Sequence, residues 1–217
     1  MDTINYSVVA FFATSTLMLG YIGYKFRSIK KQPMANFGNG LLLVGLAFLV
    51  WLYIVGTHPS HISAIVNVGM LLLAASFVMF LFAATSGVDI KYRFPLYLIN
   101  AAILTTFIIL RYFIFDSNPG FTSNGYFAFN VDPVVTYFYA LITSFNFIPA
   151  LYVVGRQLKN DVLRIAIELG LTLVGVGMVI MITSKEDSLQ FINGVGIVTG
   201  LVLASLAIFQ YGLTKKA

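Results

Sequence analysis

The sequence predicts an all-α polytopic membrane protein, a seven-transmembrane-helix bundle with its N-terminus outside the cytoplasm and its C-terminus inside. Three observations carry this. Of the 217 residues, 59% are hydrophobic and only 10% charged, against about 25% charged in soluble domains. The apolar residues fall into long uninterrupted runs. The charges gather between those runs, and the basic ones keep to alternate connections.

A helix needs about 20 residues to cross a hydrocarbon core of roughly 30 Å. The runs that meet this are Tyr6–Tyr24, Gly40–Gly56, Ile62–Ala84, Phe94–Phe113, Pro133–Val154, Val162–Thr183 and Leu189–Gly212. The second is the shortest, and its start lies between Phe37 and Gly40. A membrane barrel would show segments of about ten residues alternating apolar and polar, and no such alternation is sustained. Backbone groups in lipid must bond internally, so long uniform runs are helices.

Orientation follows from the basic residues. Lys25, Arg27, Lys30, Lys31, Lys91, Arg93, Arg156, Lys159, Arg164, Lys215 and Lys216 fall on one side, and only Arg111 and Lys185 on the other. Positive connections stay cytoplasmic. The net charge of +5 is therefore a topology signal, and no nucleic-acid partner is expected. The first run is not a removable signal peptide: it is long, and no Lys or Arg precedes it. The chain has no cysteine, which excludes disulfides, thiolate metal sites and cysteine nucleophiles.

The connections are short, and the chain reads as one transmembrane domain over residues 1–217. A weak internal repeat runs through it. Gly40-Leu-Leu-Leu-Val-Gly45 has a counterpart in Gly170-Leu-Thr-Leu-Val-Gly175, and Tyr21 and Tyr152 each precede a basic connection. This spacing suggests helices one to three recurring as five to seven, with helix four as a linker that keeps the copies parallel. Gly196 and Gly200 form a G-x-x-x-G spacing in helix seven, and Gly170, Gly175 and Gly177 lie in helix six. Small residues let helices approach closely in lipid, so six and seven are expected to pair tightly. Pro149 is expected to kink helix five.

Charged residues at membrane depth are functional candidates. Glu168 lies about 10 Å along helix six from its cytoplasmic end. Two readings stand: it snorkels with Arg164, four residues earlier on the same face, or it binds a proton or polar solute inside the bundle. Arg111, near the outer end of helix four, either reaches the interface or holds an anionic ligand group. Asn67, Asn100, Asn146 and Asn193 place amides in four helices, as glue or as ligand contacts. His58 and His61 do not make a metal site by themselves. No hydrolase, protease or phosphate-binding motif is present, and no cofactor or enzymatic activity is expected. Helix seven lacks a lysine, which excludes a retinal Schiff base.

The longest connection is the outer segment Tyr112–Asp132. Its rings are too many for a solvated coil, and long connections tend to be functional. It is expected to roof a ligand site at the outer face, with Phe127 and Phe129 in the roof and Arg111 and Asp132 as polar groups beneath; Asn146 and Glu168 are further ligand-binding candidates. The turn is placed at Asn118-Pro-Gly120, with Tyr126–Asn130 extended or a short interfacial helix. An aromatic belt anchored in the headgroups is the competing expectation.

Three stretches carry a resemblance: Lys25-Phe-Arg-Ser-Ile-Lys-Lys31 before a run ending in Trp51, the aromatic approach to helix five (Gly125-Tyr-Phe-Ala-Phe129, Tyr137-Phe-Tyr139), and the inner connection from Arg156 to Arg164. Together they resemble the seven-helix N-terminal sensory region of bacterial histidine kinases. The resemblance implies a receptor-like domain of a prokaryotic cytoplasmic membrane. It would bind a small or lipidic ligand and relay through a separate signalling or membrane partner, since no kinase module is present. The three-one-three layout also resembles the sugar transporters built from duplicated three-helix bundles, which implies a small-solute transporter or channel. Those carry a proline in the matching helix of both halves, and here helix one has none.

Overall fold

The computed structural model describes residues 5–115, 118–183 and 186–213. Seven helices are each long and apolar enough to cross a membrane. They are α1 (Tyr6–Arg27), α2 (Gln32–Thr57), α3 (Ile62–Thr85), α4 (Ile90–Ile109), α5 (Pro133–Gly155), α6 (Asp161–Thr183) and α7 (Asp187–Tyr211). The protein is a multi-pass integral membrane protein folded as an all-α bundle.

Local chemistry sets where the helices begin. The Asn5 side chain accepts from the Ser7 N–H at 3.1 Å to cap α1, and Asp132 accepts from the Val134 N–H at 2.8 Å to cap α5. Pro133 follows at the first helical position, where its missing N–H costs nothing. Helix α2 starts at Gln32, earlier than the sequence suggests. Pro33 sets the first turn, and Met34 and Phe37 are buried, so the amphipathic entrance turn is core rather than connection. Lys25 and Arg27 accordingly belong to the last turn of α1. Helix α5 continues through Pro149.

The helices pack in the circuit α1–α2–α3–α5–α6–α7, which closes where α7 meets α1. Helix α4 sits outside it, against α5 and the edge of α3, and only 17% of its spanning window is buried. Its buried face is the stripe Asn100, Leu104, Phe107 and Arg111, spaced at three and four residues.

Glycines mark the closest crossings. A methyl group on Gly200 would lie 2.3 Å from the Gly170 carbonyl oxygen, and one on Gly170 would lie 2.5 Å from that of Gly200. Helices α6 and α7 therefore do pair tightly, yet Gly196 contributes nothing, since it faces open space. Gly23 and Gly38 make the matching contact between α1 and α2, with Gly38 carrying the shorter hypothetical contact, 2.4 Å to the Arg27 N.

The basic residues Lys25 to Lys31, Lys91, Arg93, Arg156, Lys159 and Arg164 lie at or beside the end where α1, α3 and α5 finish. Lys185, Lys215 and Lys216 lie outside the described residues, as does Asp116.

Candidate functional site at the hairpin end of the bundle

Between α4 and α5 the chain leaves the helical regime in steps. The last turn of α4 widens into a π-helical turn, Leu110–Ile114. The strands β1 (Gly120–Phe121) and β2 (Phe127–Ala128) then pair antiparallel, with Phe121 opposite Phe127. The segment is a short hairpin rather than an interfacial helix. Its turn lies at Thr122–Gly125 and not at Asn118–Gly120. The Gly125 N–H donates to the Thr122 carbonyl at 3.0 Å, and Gly125 has φ 76°, which glycine adopts without strain.

The hairpin lies across the mouth of the bundle. Its tip is tied to α1, where the Asn5 amide donates to the Asn124 carbonyl at 3.0 Å. Phe121 stacks flat on His58, with ring centres 3.9 Å apart, so that histidine is engaged by a ring. Among the described residues no group of three or more His, Cys, Asp or Glu could hold a metal ion. Phe127 and Phe129 are buried and meet edge-on at 4.9 Å. Phe129 continues onto Trp51 at 4.9 Å, and Trp51 onto Phe48 and Phe12. Trp51 itself lies on Gly69, where a methyl group would meet its Nε1 at 2.4 Å.

Beneath this roof, between α1 and α7, is a cavity of about 340 Å³. Phe11, Phe12, Val195 and Val198 form its walls, and Tyr126 and Phe127 form part of its lining from the loop. Its polar lining is Ser7, Thr14, Tyr126, Gln190 and Thr199. Ala10, Phe191, Val195 and Thr199 are also exposed on the bundle surface, so the cavity opens sideways where lipid tails would lie. Two other hollows, one between α2 and α3 and one between α1 and α2, have no loop residue in their lining.

Of the residues singled out from sequence, the structure brings Phe127 to this cavity and Phe129 one ring behind it. Arg111 is buried at 4% exposure but faces α3, donating to the Asn67 side-chain oxygen at 3.3 Å. Tyr112 donates to the Asn67 carbonyl beside it. Arg111 therefore fastens α4 to α3 and does not line the cavity. Asp132 is spent on its cap. Asn146 is fully buried in α5, donating to the Ile142 carbonyl at 3.0 Å.

Glu168 does not pair with Arg164, which bonds Asp161 at 3.0 Å. It lies instead over Gly155 at the end of α5, where a methyl group would clash with its carboxylate oxygen. None of the four, Arg111, Asp132, Asn146 and Glu168, lines the cavity. Phe11, Thr14, Gln190 and Thr199, which the sequence reading missed, belong to helices whose adjacency depends on the circuit closing.

The middle of the bundle is nearly solid. A void of about 20 Å³ is lined by Leu19, Phe77, Tyr139, Thr143, Val174 and neighbours, room for about one water molecule. On the basic side of it, Phe37, Phe80 and Phe147 pack with ring centres 5.1 to 6.0 Å apart. Comparison with known protein families, curated proteins and solved structures finds no match to this chain.

Proposed function

We propose that the protein is a receptor-like membrane domain that holds a small apolar or lipidic ligand in the α1–α7 cavity and relays its presence to a separate partner protein. The observation that carries this is the cavity itself, lined in part by Tyr126 and Phe127 of the one long connection in the chain. Phe127 touches the cavity wall on one side and Phe129 on the other, and Phe129 abuts Trp51 in the α2 core. A guest that shifts Phe127 thus presses on the interior of the bundle, the coupling that a receptor needs. The aromatic packing of the bundle interior argues against a solute path through this conformation.

In this reading the N-terminus is outside, because the basic ends lie on the α1 C-terminal side. The membrane is a prokaryotic cytoplasmic membrane, in keeping with the resemblance to bacterial sensory regions. The three-one-three repeat is supported by the peripheral place of α4. It is supported too by two matching crossings, Gly23 against Gly38 and Gly155 against Glu168.

The test is photolabelling of the full chain in proteoliposomes with dodecanol carrying a mid-chain diazirine. Saturable labelling should map to peptides of α1, α7 and the hairpin. Labelling spread evenly over the lipid-facing helices, with no saturation, would remove the proposal.

A further inference from the structure

We infer that the ligand is an uncharged, single-chain amphiphile drawn sideways from the outer leaflet; this rests on the cavity being the ligand site proposed above.

Depth sets the first limit. Ser7 to Thr14 spans about 10 Å along α1, and Gln190 to Thr199 about 13 Å along α7. One leaflet of a hydrocarbon core is about 15 Å thick, half of roughly 30 Å. The cavity therefore runs the depth of a single leaflet, starting at the helix ends that carry the hairpin. It has the length for one chain lying parallel to the lipid tails.

Chemistry sets the second limit. Among the described residues the lining has no charged side chain: every polar group in it is a hydroxyl or a carboxamide, on Ser7, Thr14, Tyr126, Gln190 and Thr199. Moving a carboxylate or phosphate out of water without a cation to meet it is strongly unfavourable. An alcohol, ester or amide needs only hydrogen-bond partners. Arg111, the cation closest in sequence to the hairpin, is engaged at Asn67 on the far side of the circuit.

The roof sets the third limit. A diacyl phospholipid could leave its charged head in the interface, but Tyr126 and Phe127 share the cavity lining with Ser7 and Gln190 at the helix ends, where that head would project. The polar group of the occupant must fit under them. Access is through the face of Ala10, Phe191, Val195 and Thr199, which is exposed toward lipid.

Competition against the diazirine–dodecanol label tests this with monododecanoylglycerol, dodecanoate and dipalmitoyl phosphatidylcholine, compared at equal membrane-bound concentration. The neutral single-chain competitor should displace the label at concentrations at least about tenfold below the other two, equivalent to about 1.4 kcal/mol. Equal displacement by dodecanoate overturns the uncharged head, and equal displacement by the phospholipid overturns the single chain. In both cases the saturable label itself, and with it the cavity as a ligand site, still stands. No saturable labelling of α1 and α7 instead removes the underlying reading. Val195→Trp, which fills the cavity wall, should reduce labelling about tenfold or more. Thr199→Trp at the lipid-facing rim provides the same check should the first variant fail to fold.

Discussion

Helix α7 has two neighbours and packs against them in opposite ways. Toward α6 it offers Gly200 and Ala204, and the backbones come so close that the Gly170 and Gly200 carbonyls occupy the space of each other's missing methyl groups. Toward α1 it offers Gln190, Gly194, Val195 and Val198, and α1 answers with Phe11 and Phe12. Large rings meeting medium side chains hold the helices apart and leave a hollow. Association in lipid has no hydrophobic drive and rests on close packing, so the first seam is strong and the second is weak. A weak seam is the place for a guest, because inserting a chain there replaces lipid contacts rather than protein contacts.

The sharpest way to break this comparison is to add bulk at the strong seam. Gly200→Leu must push the Gly170 backbone aside, and overpacking against backbone has no side chain to absorb it. The expected loss is on the order of 3 kcal/mol or more, seen as an early loss of the monodisperse species when detergent-solubilised protein is heated. Gly170→Leu should do the same. Wild-type thermal behaviour in either variant would mean that the tight seam does not hold the bundle.

A smaller effect is expected at the aromatic bridge. Phe129→Ala removes a fully buried ring on Trp51, at a cost of about 3 kcal/mol. Trp51 is the one tryptophan in the chain, so all tryptophan emission comes from this position and should move to longer wavelength as Phe129 is removed. Phe127→Ala should cost less, because that ring already borders a hollow, and it should alter diazirine–dodecanol labelling more than Phe129→Ala does. The reverse order would place the ligand against Trp51 rather than between α1 and α7.

Arg111 gives a third and weaker test. Its guanidinium is buried with one 3.3 Å bond to Asn67, and its Nε has no hydrogen-bond partner among the described residues. A buried charge with so little to compensate it is costly to hold out of water. Arg111→Met should therefore leave the melting temperature unchanged or raised and leave photolabelling intact. Lost labelling in a folded protein would restore Arg111 to the ligand site.

The helices were legible in the sequence because each apolar run states its own length, and the structure moves mainly the start of α2. There Pro33 and Met34 look like connection in a hydropathy profile but are a first turn and a core side chain. The pairing of α6 with α7 was readable from glycine spacing: Gly170 and Gly200, both singled out in the sequence, make the contact, and Gly196 takes no part in it. The site was half legible. Ring density in Tyr112–Asp132 announced a roof over the bundle and put Phe127 in it. What lies beneath was hidden, because α1 and α7 are far apart in sequence and nothing local says that the circuit closes there. Charge was a weaker guide: Arg111 and Asp132 stood out in an apolar chain, and they are engaged in fastening and capping an element, while Glu168 lies over Gly155.

The smallest predicted effect separates the seams most directly, because it uses one chemical change at both. Gly194→Ala places a methyl 3.5 Å from the Phe11 ring, an ordinary contact, and Gly196→Ala meets nothing within 4 Å. Alanine is favoured over glycine within a helix by about 1 kcal/mol, so each should be neutral or slightly stabilising. At Gly200 the same methyl would sit 2.3 Å from a carbonyl oxygen, and that clash outweighs any gain in helix propensity. The sign of Gly→Ala should therefore change within two turns of α7, read as a thermal shift of a degree or more in opposite directions. Gly194→Ala also narrows the cavity by a methyl group beside Phe11, so it should weaken saturable labelling slightly while the protein becomes no less stable. Destabilisation at Gly194 comparable to that at Gly200 would mean that α1 and α7 are packed as tightly as α6 and α7, leaving no seam for a guest.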